Sequence, residues 1–207
     1  MSLSAVSAPA RTAALCTSGG MADEEESKAA PQRRAVGSGR LLTFAYEYAR
    51  HPKWWWLEAC DLSEATIRSA FGSIGFDTSP SYPVGPAVMK KTVKNAAAAL
   101  KSGDVLAVYY FGHGLENAGS QYLATEGGLV CTQCLCNIVT EAVVENRVSD
   151  VTFLLMLDCC RVEDAKRDWT SVLSDHRATH PKCRDASDIT DATRLCITVS
   201  YSTCPGT

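Results

Sequence analysis

Residues 105–114 have the sequence VLAVYYFGHG, and residues 151–161 have the sequence VTFLLMLDCCR. In each stretch an apolar run rich in β-branched and aromatic residues leads directly into reactive side chains, His113 in the first and Cys159 and Cys160 in the second. The length and composition of both runs are typical of buried β-strands. In an open parallel sheet, chemistry collects at the carboxyl ends of the strands. The two stretches therefore predict a site where a histidine meets a cysteine, the pair that nucleophilic thiol catalysis requires.

Helical patterns separate these strands from others along the chain. Apolar residues recur at i, i+3, i+4 and i+7 spacing, which is typical of amphipathic helices, in residues 62–74, 93–100 and 135–142. Two further apolar runs predict strands at residues 41–46 and 195–199. Residues 115–133 contain several glycines and predict a loop with short strands. Strands that alternate with helices predict an α/β fold with a mostly parallel sheet.

The composition limits the size of the domain and the classes of partner. The chain has 207 residues and a net charge of −3. Residues 1–40 are polar and lack apolar periodicity, which predicts a disordered N-terminal arm before a single domain at residues 41–207. The negative charge argues against nucleic acid as a partner. The sequence has no apolar run of about 18 residues, so no membrane span is predicted.

The cysteine content bears on the cellular compartment. Ten cysteines are present, and a secreted chain with so many would use them in disulfides. The first 20 residues lack the continuous apolar region of a secretory signal. We therefore expect free thiols and a cytoplasmic protein, with a transit peptide as the alternative that the Ala- and Ser-rich start leaves open.

Two strings of residues carry a resemblance to a known family. Residues 109–117 (YYFGHGLEN) and 155–161 (LMLDCCR) resemble the caspase-like superfamily of cysteine peptidases, and within it they are most similar to the paracaspases. His113 and Cys160 are 47 positions apart, and the corresponding separation in caspases is about 50. The resemblance covers about residues 41–207. It implies a three-layer sandwich, with helices on both faces of the sheet.

The resemblance also implies that part of the family's fold is missing. Caspase-like enzymes continue beyond the strand at residues 195–199 with a small-subunit region, which supplies much of the substrate cleft and, in many members, the dimer edge. The C-terminal part of the fold is therefore expected to be absent from this sequence. The chain would then be a large-subunit-like fragment, or a domain whose activity is compromised.

The same resemblance assigns chemical roles to residues of this chain. Cys160 would be the nucleophile and His113 the general acid/base of a dyad that works through a thioester. The backbone N–H groups of Gly114 and Cys160 would form the oxyanion hole. No cofactor is implied. The substrates would be proteins or peptides, and a full-length form would be a candidate homodimer.

Substrate preference depends on acidic residues near the nucleophile. In metacaspases and paracaspases, the acid that matches Asp158 lines the pocket for the residue before the cut, which implies cleavage after Arg or Lys. A second pocket acid is expected in the first helix region, where the matching position is Ser63 in this sequence. Asp61 lies two residues away and is the alternative source of that carboxylate.

Two functions of other classes remain open. A caspase-like domain without activity could act as a scaffold in signalling, which the expected loss of the C-terminal region favours. A zinc module is the other alternative, because Cys131, Cys134 and Cys136 have knuckle-like spacing and His176, His180 and Cys183 are spaced like ligands. Against zinc, Leu135 opens an amphipathic helix on which Cys134 and Cys136 would face different ways.

Overall fold

The structure, a computed structural model, describes residues 37–48, 57, 60–79, 83–117, 120–159 and 195–202. Its elements follow one another along the chain as β1 Gly39–Ala45, α1 Cys60–Ser73, β2 Phe76–Ser79, α2 Pro86–Ala98, β3 Val105–Phe111, β4 Gly114–Asn117, β5 Ser120–Thr125, β6 Gly128–Cys131, α3 Thr132–Glu145, β7 Val151–Asp158 and β8 Leu195–Ser202. All the predicted strands and helices are present. None of the helices in these ranges is long and apolar enough to cross a membrane.

The main sheet has five strands in the order β2-β1-β3-β7-β8. Every neighbouring pair in it is parallel, so the predicted α/β fold with a mostly parallel sheet is confirmed. Strand β3 occupies the centre, between β1 and β7. The carboxyl ends of β3 and β7 are therefore neighbours at one edge of the sheet, where ligand and catalytic sites of open α/β sheets occur.

The two faces of the main sheet carry different helices. On one face, which we call the α1 face, Ala107 and Tyr109 of β3 pack with Ile67 and Phe71 of α1. On the opposite face, residues that alternate with these along the strands pack with α2 and α3, and they include Leu106, Val108, Tyr110, Phe153 and Leu155. Successive side chains of a strand point to opposite faces, which explains the split. Helices on both faces confirm the three-layer sandwich.

A second, smaller sheet follows the central strand. Strands β4, β5 and β6 pair antiparallel in chain order, where the sequence predicted a loop with short strands. The hairpin between β5 and β6 turns at Gly127, whose φ of 84° favours glycine. Leu123 and Leu129 are buried in the core shared with α2 and α3. This burial anchors the small sheet beside the end of β3.

The N-terminal boundary differs slightly from the prediction. Strand β1 begins at Gly39, two residues before the predicted start, because Gly39 and Arg40 extend the pairing with β2 and β3. Arg40 also forms an exposed ion pair with Asp77 of β2, at 3.3 Å. Residues 1–36 of the predicted disordered arm lie outside the described residues.

Candidate active site

The two sequence motifs lie side by side at the carboxyl edge of the main sheet. Phe111, the last residue of β3, pairs with Asp158, the last residue of β7. One step further, the backbone N–H of Gly112 donates a hydrogen bond to the carbonyl oxygen of Asp158, at 3.2 Å. His113 therefore leaves β3 directly beside the point where the chain continues from β7 into its two cysteines.

Of the two cysteines in this segment, the structure describes only Cys159. Cys159 is 3% exposed and belongs to the core on the α2 and α3 side. Its sulfur accepts a hydrogen bond from Nε2 of the buried Gln121 at 3.5 Å. The Cys159 thiol is thus held inside the protein. Cys160 itself lies outside the described residues.

His113 is half-buried in the turn between β3 and β4, and both its backbone polar groups are engaged. Its N–H donates to the hydroxyl oxygen of Tyr48, at 3.2 Å. Its carbonyl oxygen accepts from the N–H of Ala124 at 2.9 Å and from the hydroxyl of Tyr110 at 2.7 Å. The buried Gly114, the predicted oxyanion-hole residue, follows as the first residue of β4 and pairs with Leu123.

Asp158 lies half-buried at the end of β7. It follows Leu154 and Met156 at two-residue spacing along β7, and since those two side chains pack on the α1 face, the side chain of Asp158 belongs to that face. The hydroxyl of Tyr109 donates a hydrogen bond to its carboxylate at 3.0 Å. This bond fixes the orientation of the carboxylate at the carboxyl edge, and an ionised carboxylate can accept several hydrogen bonds at once.

The region of α1 in which a second pocket acid is predicted contains a further acid, Glu64, that was not predicted from the sequence. Ser63 and Asp61 both lie in α1, where Ser63 is half-buried and the Asp61 side chain is outside the described part. The next residue, Glu64, is 9% exposed. Its carboxylate accepts a hydrogen bond from the Thr43 hydroxyl at 2.6 Å and pairs with Nε of Arg68 at 2.9 Å.

The burial of Glu64 could have been predicted from its position in the sequence. Glu64 lies three residues before Ile67 and seven before Phe71, on the apolar stripe of α1. A carboxylate in such a stripe is buried and needs partners, and Arg68 at i+4 supplies one.

Replacing Glu64 with glutamine is expected to lower the free energy of unfolding by about 2 kcal/mol. The amide keeps an acceptor for Thr43 but leaves the partly buried Arg68 guanidinium without its counter-charge. Urea unfolding followed by circular dichroism measures the difference. Glu141→Gln, on an exposed position of α3, is the matched control and should change stability by less than about 0.5 kcal/mol. Equal effects of the two substitutions would contradict the structural role of Glu64.

The cysteines of the zinc alternative lie at the junction of β6 and α3. Cys131 and Cys136 are buried, and Cys134 is half-buried. Burial, with the neighbouring Cys131 as a further cause, raises the pKa of the Cys136 thiol to about 11. Zinc binds cysteine as the thiolate, so binding at Cys136 would have to displace this proton. Within the described ranges no three His, Cys, Asp or Glu side chains are grouped to hold a metal ion, and His176, His180 and Cys183 lie outside those ranges.

The sequence matches a family model over most of its length. The model of the caspase domain covers residues 48–207, which include both strand-end motifs. The chain belongs to the caspase-domain family. A search of curated proteins gives no significant match.

Solved structures share the architecture of this caspase domain. Protein GSU0716 from Geobacter sulfurreducens superposes with a TM-score of 0.59 at 17% identity, over 78% of this chain and 72% of its own. The structure of pro-sf-caspase-1 superposes with a TM-score of 0.57 at 13% identity, over 90% of this chain and 69% of its own. At these identities the likeness concerns the fold, and it agrees with the three-layer arrangement described above.

Proposed function

We propose that this caspase domain is a cysteine endopeptidase with a dyad of His113 and Cys160. The observation that carries the proposal is the hydrogen bond from the Gly112 N–H to the Asp158 carbonyl, at 3.2 Å. It brings the residue before His113 into contact with the residue two before Cys160. A nucleophile and its base must approach within hydrogen-bond reach, and the pairing of the two strand ends supports this assignment.

The proposed reaction is acyl transfer in two steps. The Cys160 thiolate attacks the scissile carbonyl carbon, and the N–H groups of Gly114 and Cys160 stabilise the oxyanion. As the C–N bond breaks, His113 gives a proton to the leaving amine, and the acyl group remains as a thioester on Cys160. His113 then takes a proton from water, which attacks the thioester and releases the acid and the Cys160 sulfur. No cofactor enters these steps.

We further propose that the enzyme cleaves after Arg or Lys, with Asp158 in the specificity pocket. The support is a row of contacts on the α1 face. Tyr109 orients the Asp158 carboxylate, and Tyr109 pairs across the sheet with Thr43. Thr43 in turn donates to Glu64 of α1. The start of α1 therefore lies on the same face as Asp158.

Ser63 and Asp61 are the two candidates for the second residue of the pocket. The row of contacts favours their region, beside Glu64, as the pocket's other wall. A carboxylate in such a wall would bind the guanidinium of arginine by charge-assisted hydrogen bonds.

The remaining features follow from the family and from the paracaspase-like strings. The proposed type is a paracaspase, with residues 41–207 as the catalytic domain and residues 1–40 as an arm. Its partners would be protein or peptide substrates, and a full-length form would act as a homodimer. We propose a cytoplasmic location, since the ten cysteines then remain reduced.

Covalent labelling tests the dyad and the pocket together. The full chain is treated with peptide chloromethyl ketones that end in Arg, Lys or Asp, and mass spectrometry locates the modified residue. We expect the Arg and Lys probes to label Cys160 and the label to be lost in His113→Ala. Cys159→Ala should retain the labelling and Cys160→Ala should lose it. Labelling by the Asp probe alone would overturn the assigned pocket, and no labelling at Cys160 would support a scaffold.

A further inference from the structure

Two buried tyrosine hydroxyls meet beneath the turn that carries His113. Tyr48 follows β1 and Tyr110 lies in β3, and their hydroxyl oxygens are 3.0 Å apart. Tyr48 is 8% exposed and Tyr110 is fully buried. Burial raises the pKa of Tyr110 well above its ordinary value, so this hydroxyl remains a neutral donor. We call these two residues the tyrosine pair.

The tyrosine pair engages the backbone of His113 on both sides. The Tyr48 oxygen accepts from the His113 N–H, and Tyr110 donates to the His113 carbonyl. The carbonyl oxygen of Ala124 in β5 accepts the hydroxyl proton of Tyr48 at 2.7 Å, and it lies 2.6 Å from the hydroxyl of Tyr110, whose single proton is shared between the carbonyls of His113 and Ala124. Since the Ala124 N–H also donates to the His113 carbonyl, the turn, the small sheet and β1 form one hydrogen-bonded unit.

The glycine before His113 is fitted to this arrangement. A Cβ atom at Gly112 would lie 2.5 Å from the Tyr110 hydroxyl oxygen and 2.6 Å from that of Tyr48. Only glycine lets the hydroxyls come so close to the backbone. Glycines on both sides of His113 would otherwise leave its backbone free to rotate. The tyrosine pair removes the freedom that Gly112 and Gly114 introduce.

Tyr48 adopts an uncommon backbone conformation to reach this position. Its φ is 58°, in the left-handed region that bulky residues rarely occupy. In this conformation its ring lies 4.8 Å from the His113 imidazole, tilted by 39°. Uncommon conformations of this kind persist where the surrounding contacts determine them, and they are concentrated at functional sites.

We infer that Tyr48 and Tyr110 are positioning residues that hold His113 in place for catalysis. The inference rests on the proposed function of His113, and it adds two residues to which no role was assigned by the sequence. We expect loss of the Tyr48 hydroxyl to lower kcat more than loss of the Tyr110 hydroxyl. Without the Tyr48 hydroxyl the His113 N–H loses its acceptor, whereas without the Tyr110 hydroxyl the His113 carbonyl still accepts from Ala124.

Tyr46 provides a matched control within the same cluster. Its ring stacks on that of Tyr48 at 5.7 Å, and it is 1% exposed. Its hydroxyl donates to the carbonyl of Val84 at 2.9 Å. Tyr46→Phe therefore removes one buried hydroxyl, as Tyr48→Phe does, but touches no backbone group of His113.

The experiment compares Tyr48→Phe, Tyr110→Phe and Tyr46→Phe in the full chain. Steady-state hydrolysis of an Arg-terminated fluorogenic peptide gives kcat and KM, and thermal unfolding gives Tm. We expect Tyr48→Phe to lower kcat about tenfold with KM within about twofold of the unsubstituted chain, and Tyr110→Phe to lower kcat less. Tyr46→Phe should leave kcat within about twofold while its Tm falls about as much as that of Tyr48→Phe.

A spectroscopic measurement separates this inference from the proposed function. In protein labelled with ¹³C-histidine, the Cε1–H resonance of His113 is identified by its loss in His113→Ala. We expect it to shift or broaden in Tyr48→Phe and to stay unchanged in Tyr46→Phe. If it stays unchanged in both, the positioning role is overturned. If it responds as expected while the chain with all its tyrosines cleaves no peptide, the positioning role holds and the proposed protease function fails.

Discussion

Substituting His113 with alanine is expected to lower kcat for an Arg-terminated peptide by about a thousandfold. The thiol of Cys160 would lose the base that activates it, and the leaving amine would lose its proton donor. KM should change little, because His113 acts on the reacting atoms and not on the residue before the cut. Initial rates at saturating peptide, with the active-site thiol counted by titration, measure the effect.

The other histidines of the chain provide the controls. His51→Ala removes the same side chain at a position outside both strand-end motifs, and it should leave kcat within about twofold. A His113→Ala protein that keeps activity within tenfold would contradict the dyad. His180→Ala tests the zinc alternative as well. Loss of bound metal and of the folded state in that variant would favour the zinc module, whereas full activity would argue against it.

Replacing Asp158 with asparagine is expected to lower kcat/KM for an Arg-terminated peptide by about a hundredfold. The change keeps the size of the side chain and an acceptor for the Tyr109 hydroxyl. It removes the charge that we propose binds the guanidinium. The ratio of kcat/KM for arginine and citrulline peptides, which differ mainly in charge, is the direct measure and should approach unity.

Asp150→Asn is the matched control for this change. Asp150 immediately precedes β7, at the opposite end of the strand that Asp158 ends. Its φ of 59° is one that asparagine also adopts readily. Each substitution therefore removes one negative charge at one end of β7. Equal loss of arginine preference in the two variants would attribute the effect to net charge and would contradict the pocket.

The order of the main elements could be predicted from local patterns. The strands that carry the two motifs are continuous apolar runs, and the helices follow the i, i+3, i+4, i+7 rule, so each signal lies within a short window. That His113 and Asp158 lie at the same edge of the sheet then follows from a general property of parallel sheets, whereas the pairing of β3 with β7 is seen only in the structure. The pairing of β4, β5 and β6 was less evident, because strands of four to six residues carry too few alternations to distinguish them from a loop.

The supporting contacts could not be predicted, because they join distant parts of the chain. Tyr48 follows a strand in a conformation that its neighbours in sequence do not demand, and its partners lie 62 and 65 positions away. Glu64 was overlooked because it occupies an apolar stripe, where the pattern favours a hydrophobic residue. Its partner Thr43 lies on another element, 21 positions earlier.

The hydrogen bond between Gly112 and Asp158 means that the main sheet itself sets the distance between the two motifs. Neighbouring strands lie about 4.8 Å apart in any sheet. This interval between the two motifs therefore does not depend on the conformation of any loop. The segments that precede β1 and follow Cys160 can therefore change in length or sequence without altering that interval. Diversification of this domain is expected to concentrate in those segments, while VLAVYYFGHG and VTFLLMLD stay constrained by the spacing they set.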